Sequence, residues 1–245
     1  MKITLSPRAT DAAAAVVVVG CHDDRKLAAG AAAAAPQTDL AAAIAASPQF
    51  RGGVHDEPLV IPPSSRRTPT VVVVGLGPRR TVSAGEVRTA ALRAHRSIRG
   101  LRRVATALGQ VGPDRASSVR AAVEGALLGS YVRPKPNAEQ RPAHESAPTS
   151  LVVLLDAADA RDSAVKDAVG RADAAGHLTE WVRTLVDLPA NHITPTTLAA
   201  AIEAEAAGTE IEVAVWGPDQ IRAHGFGGIL AVSQGSAEEP RVVEL

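Results

Sequence analysis

The chain has 245 residues, 46% of them hydrophobic, enough for one large domain or for one domain and part of a second. Its 26 Lys and Arg balance its 26 Asp and Glu, so no net field draws the whole molecule to nucleic acid or membrane, and such a contact needs a local patch. Aromatics at 2% argue against a stacking platform for single-stranded nucleic acid, and the lone Cys21 excludes an intrachain disulfide and a thiolate metal cluster and suits a reducing cytoplasm.

Met1 and Lys2 precede an apolar run, Ala12 to Val19, and Val18-Val19-Gly20-Cys21 has the form of a lipoprotein cleavage box. The run is short, lacks leucine and has Arg8 and Asp11 beside it, so Val16–Val19 reads better as a buried β-strand. No stretch approaches the ~20 apolar residues of a membrane span. Asp39–Ala46 reads as a short helix ended near Pro48, and Leu59–Ile61 as an extended piece closed by Pro62-Pro63. Val71–Val74 is wholly apolar, the pattern of a strand buried on both faces, and Gly75-Leu76-Gly77-Pro78 turns the chain.

Ser83 and Glu86 have the spacing of a capping box. Behind them Val87, Ala91, Ala94, Ile98, Leu101, Ala105 and Leu108 recur at helical spacing, which predicts one long helix stopped by Gly109. A second helix is expected from about Ser117 to Tyr131. Four prolines make Arg133–Ser150 a loop, and Leu151–Leu155 is a buried strand. From about Ala160 to Val186 the pattern is a long helix, interrupted or kinked near Gly170 and Gly176. Thr194 then caps a helix with Pro195 at its first position. Ile211–Val215 reads as a strand, Pro218–Ala223 as a short helix, Gly228–Ser233 as a strand and Arg241–Leu245 as the start of another. The alternation predicts a three-layer α/β fold, with the division into two domains falling in the long helix. The chain stops inside a strand pattern, which reads as truncation.

Several features invite a site. Gly75-Leu76-Gly77 opens like a dinucleotide fingerprint, but Arg80 stands where the last glycine belongs and Pro78 distorts the turn. A plain strand-to-helix turn fits better, although free amides at the start of the Ser83 helix would attract a phosphate. His22-Asp23-Asp24, His55-Asp56-Glu57 and His144-Glu145 lack the spacing of a helical zinc site and read as solvated loops. Arg79, Arg80, Arg88, Arg93, Arg96, Arg99, Arg102 and Arg103 form a basic run with Glu86 as its one acid. On the expected helix Arg88, Arg96, Arg99 and Arg103 share a face beside the apolar stripe, where they would contact DNA phosphates or serve as a solvated or subunit-pairing surface.

Three stretches resemble the leucyl aminopeptidases, the M17 family of two-metal exopeptidases. Glu124-Gly125 and Tyr131 look like the family's EG…Y helix; Trp181 to Leu198, WVRTLVDLPANHITPTTL, is similar to its R-x-L-x-N-x-P-x-N-x-x-T-P-x-x-L passage; and Gly225 to Ser236 resembles its glycine-rich approach to the catalytic core. Val71 to Gly77 is similar to its VGLG strand end. Asp187 departs from the usual Asn, and Arg133–Ser150 from a short connection. The resemblance implies a macro-domain-like N-terminal domain with a mixed sheet over 1–160, a linking helix over 161–187, and the first part of a second α/β domain, the peptidase, over 188–245. It implies for the full-length enzyme a cytoplasmic homo-hexamer that releases N-terminal residues from peptides with two divalent metals, Mn or Zn. The family's metal segments, GKG-x-x-x-D-x-GG and N-x-D-A-E-G-R, do not occur among these residues. No catalytic or metal-binding residue is therefore expected in this chain, and the chain alone is expected to be inactive. A DNA-binding accessory and a macro-like ligand-binding module stand as alternatives.

Overall fold

Val16–Cys21 forms strand β2 in the computed structural model, and all six of its residues are buried. The structure describes residues 1–7, 14–66, 68–98, 100, 102–112, 114–134 and 147–245. These divide into two compact units, the first ending at Trp181 and the second made of Val182–Leu245 together with Pro134–Pro136.

In the first unit the strands are β1 (Lys2–Ser6), β2, β3 (Leu59–Ile61), β4 (Thr70–Gly75), β5 (Arg103–Thr106) and β6 (Ser150–Leu154). They form one sheet in the order β1-β6-β5-β2-β4-β3. Every pairing is parallel except β3 against β4, so the sheet is mixed. Successive residues of a strand point to opposite faces, and the two cores follow that period. Val16, Val18, Val72, Val74, Val104, Leu151 and Val153 join one core; Val17, Val19, Val71, Val73, Ala105 and Leu154 join the other.

Helices cover both faces, which gives the three layers. Helices α1 (Ala31–Ala34) and α2 (Leu40–Ala45) bury Ala31, Ala34, Leu40 and Ile44 in the second core. Asp39 caps α2 by accepting from the Ala42 amide at 3.0 Å. Helices α3 (Ala84–Ser97), α4 (Arg115–Ser130) and α5 (Ser163–Asp187) supply residues to the first core. α3 and α4 approach closely because two glycines face α3. A Cβ on Gly125 would stand 2.2 Å from the Arg88 carbonyl oxygen, and one on Gly129 2.4 Å from that of Leu92.

The expected long helix to Leu108 is corrected. α3 leaves helical geometry at Ile98, Gly100 takes a φ of +82°, and Arg103–Thr106 becomes a central strand. The spacing of Val104, Ala105 and Leu108 satisfies helix and strand alike. Pairing with β2 and β6 on both sides decides for the strand, since it satisfies the backbone of a segment buried from Val104 to Leu108. The long helix is unbroken through Gly170 and Gly176. A Cβ at Gly176 would stand 2.3 Å from Leu127, so that glycine admits close packing instead of interrupting the helix. Most of the expected Arg133–Ser150 loop lies outside the described residues.

The second unit holds the end of α5, then α6 (Pro195–Ala206), β7 (Ala214–Trp216), α7 (Pro218–Ala223), α8 (Gly227–Ser233) and β8 (Val242–Glu244). β7 and β8 pair antiparallel. Thr194 caps α6 and Pro195 opens it. Two expectations are corrected. The strand expected at Ile211–Val215 is confined to Ala214–Trp216, and the strand expected at Gly228–Ser233 is helix α8. Its amides close locally, Ile229 to the Phe226 carbonyl at 3.1 Å, and Val232 is 87% exposed, which a buried strand would not allow. The small core of this unit centres on Ile221, fully buried, with Trp216 stacked on His224 at 4.3 Å.

Candidate functional site

Of the four arginines read as one helical face, Arg88 and Arg96 lie on α3 and Arg103 on β5. Arg88 pairs with Glu124 of α4 at 3.4 Å, where Arg120 also holds the carboxylate at 2.6 Å. Arg96 is exposed in the last turn of α3, and Arg103 opens strand β5. Arg99 lies outside the described residues. A duplex reached through these side chains would have to be met from a helix and a strand end together. Arg93, from the same basic run, donates to the His55 carbonyl at 2.8 Å and pairs with Glu57 at 3.1 Å, tying down the loop before β3.

The histidine–acid pairs also separate. His55 is exposed, and the Asp56 carboxylate accepts from the amides of Arg51 at 2.7 Å and Gly53 at 3.0 Å, a loop-bracing task. His144-Glu145 lies outside the described residues. His22 corrects the reading of a solvated loop: it is 5% exposed, and its Nδ1 has no hydrogen-bond partner. Among the described residues no three His, Cys, Asp or Glu converge as a metal centre requires. Near the end of the chain Asp219 pairs with Arg222 at 2.8 Å and Glu239 with Arg241 at 3.1 Å. The described residues therefore do not fit a pair of divalent metals.

The family-like passage from Trp181 to Leu198 spans the end of α5 and the entry to α6. Thr194 Oγ1 accepts from the Thr197 amide at 3.3 Å, and the Thr197 hydroxyl donates to the His192 carbonyl at 2.9 Å. The threonine-proline pair thus fixes a helix start, and His192 sits at its entry, itself exposed.

One concave feature stands out in the first unit. A cavity of about 640 Å³ lies beyond the carboxyl ends of β2, β4 and β5. His22 and Ala29 border it after β2, Arg79, Arg80 and Val82 after β4, and Gln110 after β5. Gln110 is fixed by donating Nε2–H to the Leu154 carbonyl at 3.0 Å. Gly30, at a φ of +76°, leaves room for that carboxamide, which a Cβ would meet at 2.5 Å. Gly52 does the same for the His22 loop, where a Cβ would stand 2.0 Å from the His22 carbonyl oxygen. Arg79 and Arg80 are exposed on a 3-10 turn at 79–81. Composition and periodicity gave no sign of this cavity, because the three loops that build it meet only in the folded sheet.

The fold defines the class: a three-layer α/β domain with a mixed sheet, followed by a second, smaller α/β unit. Residues 18–135 match the model of the cytosol aminopeptidase family, N-terminal domain, and residues 180–245 match that of the same family's catalytic domain. The chain belongs to the cytosol aminopeptidase family. It is 37% identical over 206 residues to a probable cytosol aminopeptidase of Leifsonia xyli subsp. xyli, covering 84% of this chain and 39% of that protein. A probable cytosol aminopeptidase of Micrococcus luteus is 35% identical over 218 residues, with 84% and 41% covered. The chain thus spans about two fifths of the length of these curated relatives. Among solved structures, the bottromycin maturation enzyme BotP in complex with Mn is similar at 26% identity and a TM-score of 0.70, covering 94% of this chain and 44% of that one. A tomato leucine aminopeptidase mutant shares the fold at a TM-score of 0.77 and 20% identity, over 99% of this chain and 50% of that one. Among the described residues, no helix is long and apolar enough to cross a membrane.

Proposed function

We propose that these 245 residues supply the N-terminal domain and the opening of the catalytic domain of a metal-dependent aminopeptidase that releases N-terminal amino acids from peptides. The observation that carries this reading is the order of the matches: the N-terminal domain model ends at residue 135 and the catalytic domain model begins at 180, as one continuous member of the family requires. The organisation is then a macro-like domain over 1–160, a linking helix over 161–187 and the beginning of the peptidase domain over 188–245. The complete enzyme works in the cytoplasm as a homo-hexamer and holds two divalent metals, Mn or Zn, at residues other than these. The relatives' names support the peptide substrate, and a Mn complex of a similar structure supports the metal.

The chain by itself is then inactive. A two-metal site needs several carboxylates around ions ~3.5–4 Å apart, to activate a water and clamp the developing oxyanion. The sequence carries neither of the family's ligand segments. Co-expression of the chain with the remaining three fifths of the Leifsonia xyli relative tests the reading. The expected result is a co-purifying complex that hydrolyses a leucine anilide in a chelator-sensitive way. Folded partners that neither associate nor turn over substrate would refute it.

A further inference from the structure

The cavity at the carboxyl ends of the central strands is not used by the peptidase reading. From the geometry we infer that it is a binding site for a small organic phosphate, gripped by Arg79 and Arg80 with His22 in the wall. In open α/β sheets ligands bind outside the carboxyl ends of the strands, where neighbouring connections leave for opposite faces. That condition is met here. β2 leads to α1 and α2, which pack into one core, whereas the adjacent β4 and β5 lead to α3 and α4, which pack into the other. The cavity opens between those departures. Its volume of about 640 Å³ lies within the range of small-ligand sites.

The wall selects the ligand's chemistry. Among the described residues no acidic side chain borders the cavity, and two guanidiniums do. Neither guanidinium has a carboxylate within salt-bridge distance among the described residues. Asp24 is the acid whose charge reaches Arg79, and its carboxylate is already engaged by the Lys26 amide at 3.1 Å and the Lys26 ammonium at 3.6 Å. Two adjacent arginines match the charge and the forked acceptors of a phosphate better than those of a single carboxylate. His22 is a second, independent mark. It lines the cavity at 5% exposure with an unpartnered ring nitrogen, and a buried polar atom left unpaired is costly unless something answers it. Leu27, Val82 and Val111 add apolar wall for an organic body, and among the described residues no Phe, Tyr or Trp borders the cavity.

The test is calorimetric titration of the full 245-residue chain with inorganic pyrophosphate, with ADP and with succinate. Saturable binding of the phosphates, with succinate at least about tenfold weaker, is expected. ADP binding more tightly than pyrophosphate assigns part of the affinity to the organic body; equal affinities assign it to the phosphates, and either supports the site. The R79Q/R80Q chain should bind about tenfold or more weakly and, since both side chains are exposed, keep the unfolding midpoint of the parent. Ala29→Trp, on the exposed lip, keeps both arginines but fills the mouth, and it should weaken binding as well. The proposal is overturned by absence of saturable phosphate binding, by succinate binding equally well, by undiminished binding in R79Q/R80Q, or by undiminished binding in Ala29→Trp. These outcomes do not depend on peptidase activity.

Discussion

His95 and His22 show how much a single side chain depends on what packs over it. His95 falls on the inner face of α3, 1% exposed, with Nδ1 2.9 Å from the Ala91 carbonyl and Nε2 unpartnered. Burial pushes its pKa down to about 4, against which the Ala91 hydrogen bond acts only in part. In the unfolded chain the ring protonates near 6.5, so between 6.5 and 4 the unfolded state binds the extra proton. Stability is therefore complete above about 6.5 and falls as the pH drops toward 4, by roughly 3 kcal/mol at full extent. Chemical denaturation of the wild type across that window should show the loss, and His95→Leu should flatten it. Parallel acid curves for the two chains would refute this account. The sequence showed neither histidine as buried. His95 is one turn from Ala91 and Arg99 in a basic run, and His22 precedes two aspartates, so both carry the local look of surface residues. Their burial is set by α4 and by the cavity loops, which come from distant parts of the chain.

Elements were legible where their signal is local. The capping box at Ser83 and Glu86 forms, with the Ser83 amide donating to Glu86 Oε2 at 2.5 Å, and Pro195 after Thr194 opens α6. The buried valine runs of β2 and β4 pair in register, Val17 with Val71 and Val19 with Val73. What failed was the border between α3 and β5 and the identity of α8. In both, a short apolar run suits two periods, and the presence or absence of a paired neighbour strand decides. That border is why the arginine face dissolved: Arg88 and Arg96 remained helical, while Arg103 moved to a strand. The contact between α3 and α4 gives a prediction at this scale. Gly125→Ala places a methyl 2.2 Å from the Arg88 carbonyl oxygen and 2.7 Å from the Ala91 Cβ, and backbone cannot yield as a flexible side chain would. A destabilisation of about 1–3 kcal/mol is expected from such overpacking, read as a lowered unfolding midpoint. Ala126→Gly is the natural comparison, since it removes a methyl from the same helix. An unchanged midpoint in Gly125→Ala would show that the two helices separate freely.

At the scale of the molecule, the two units differ in how completely each buries its own apolar surface. The first carries both cores of the sheet. The second exposes Val186 at 78%, Val232 at 87% and Leu245 at 74%, with Phe226 at 42%. The proposed role as the opening of a longer catalytic domain accounts for that difference, because such a domain completes its core from residues beyond those matched here. The fold class was legible in the alternation of strands and helices. The family was legible only through four short passages, and the cavity not at all. The measurement that bears most directly on the proposed role is a leucine anilide assay of the purified 245-residue chain with excess manganese or zinc, with and without chelator. No turnover above the metal-only control is expected under either condition, since removal of a whole two-metal site abolishes nearly all acceleration. Chelator-sensitive hydrolysis by the chain alone would contradict it, and would place a working metal centre among these residues.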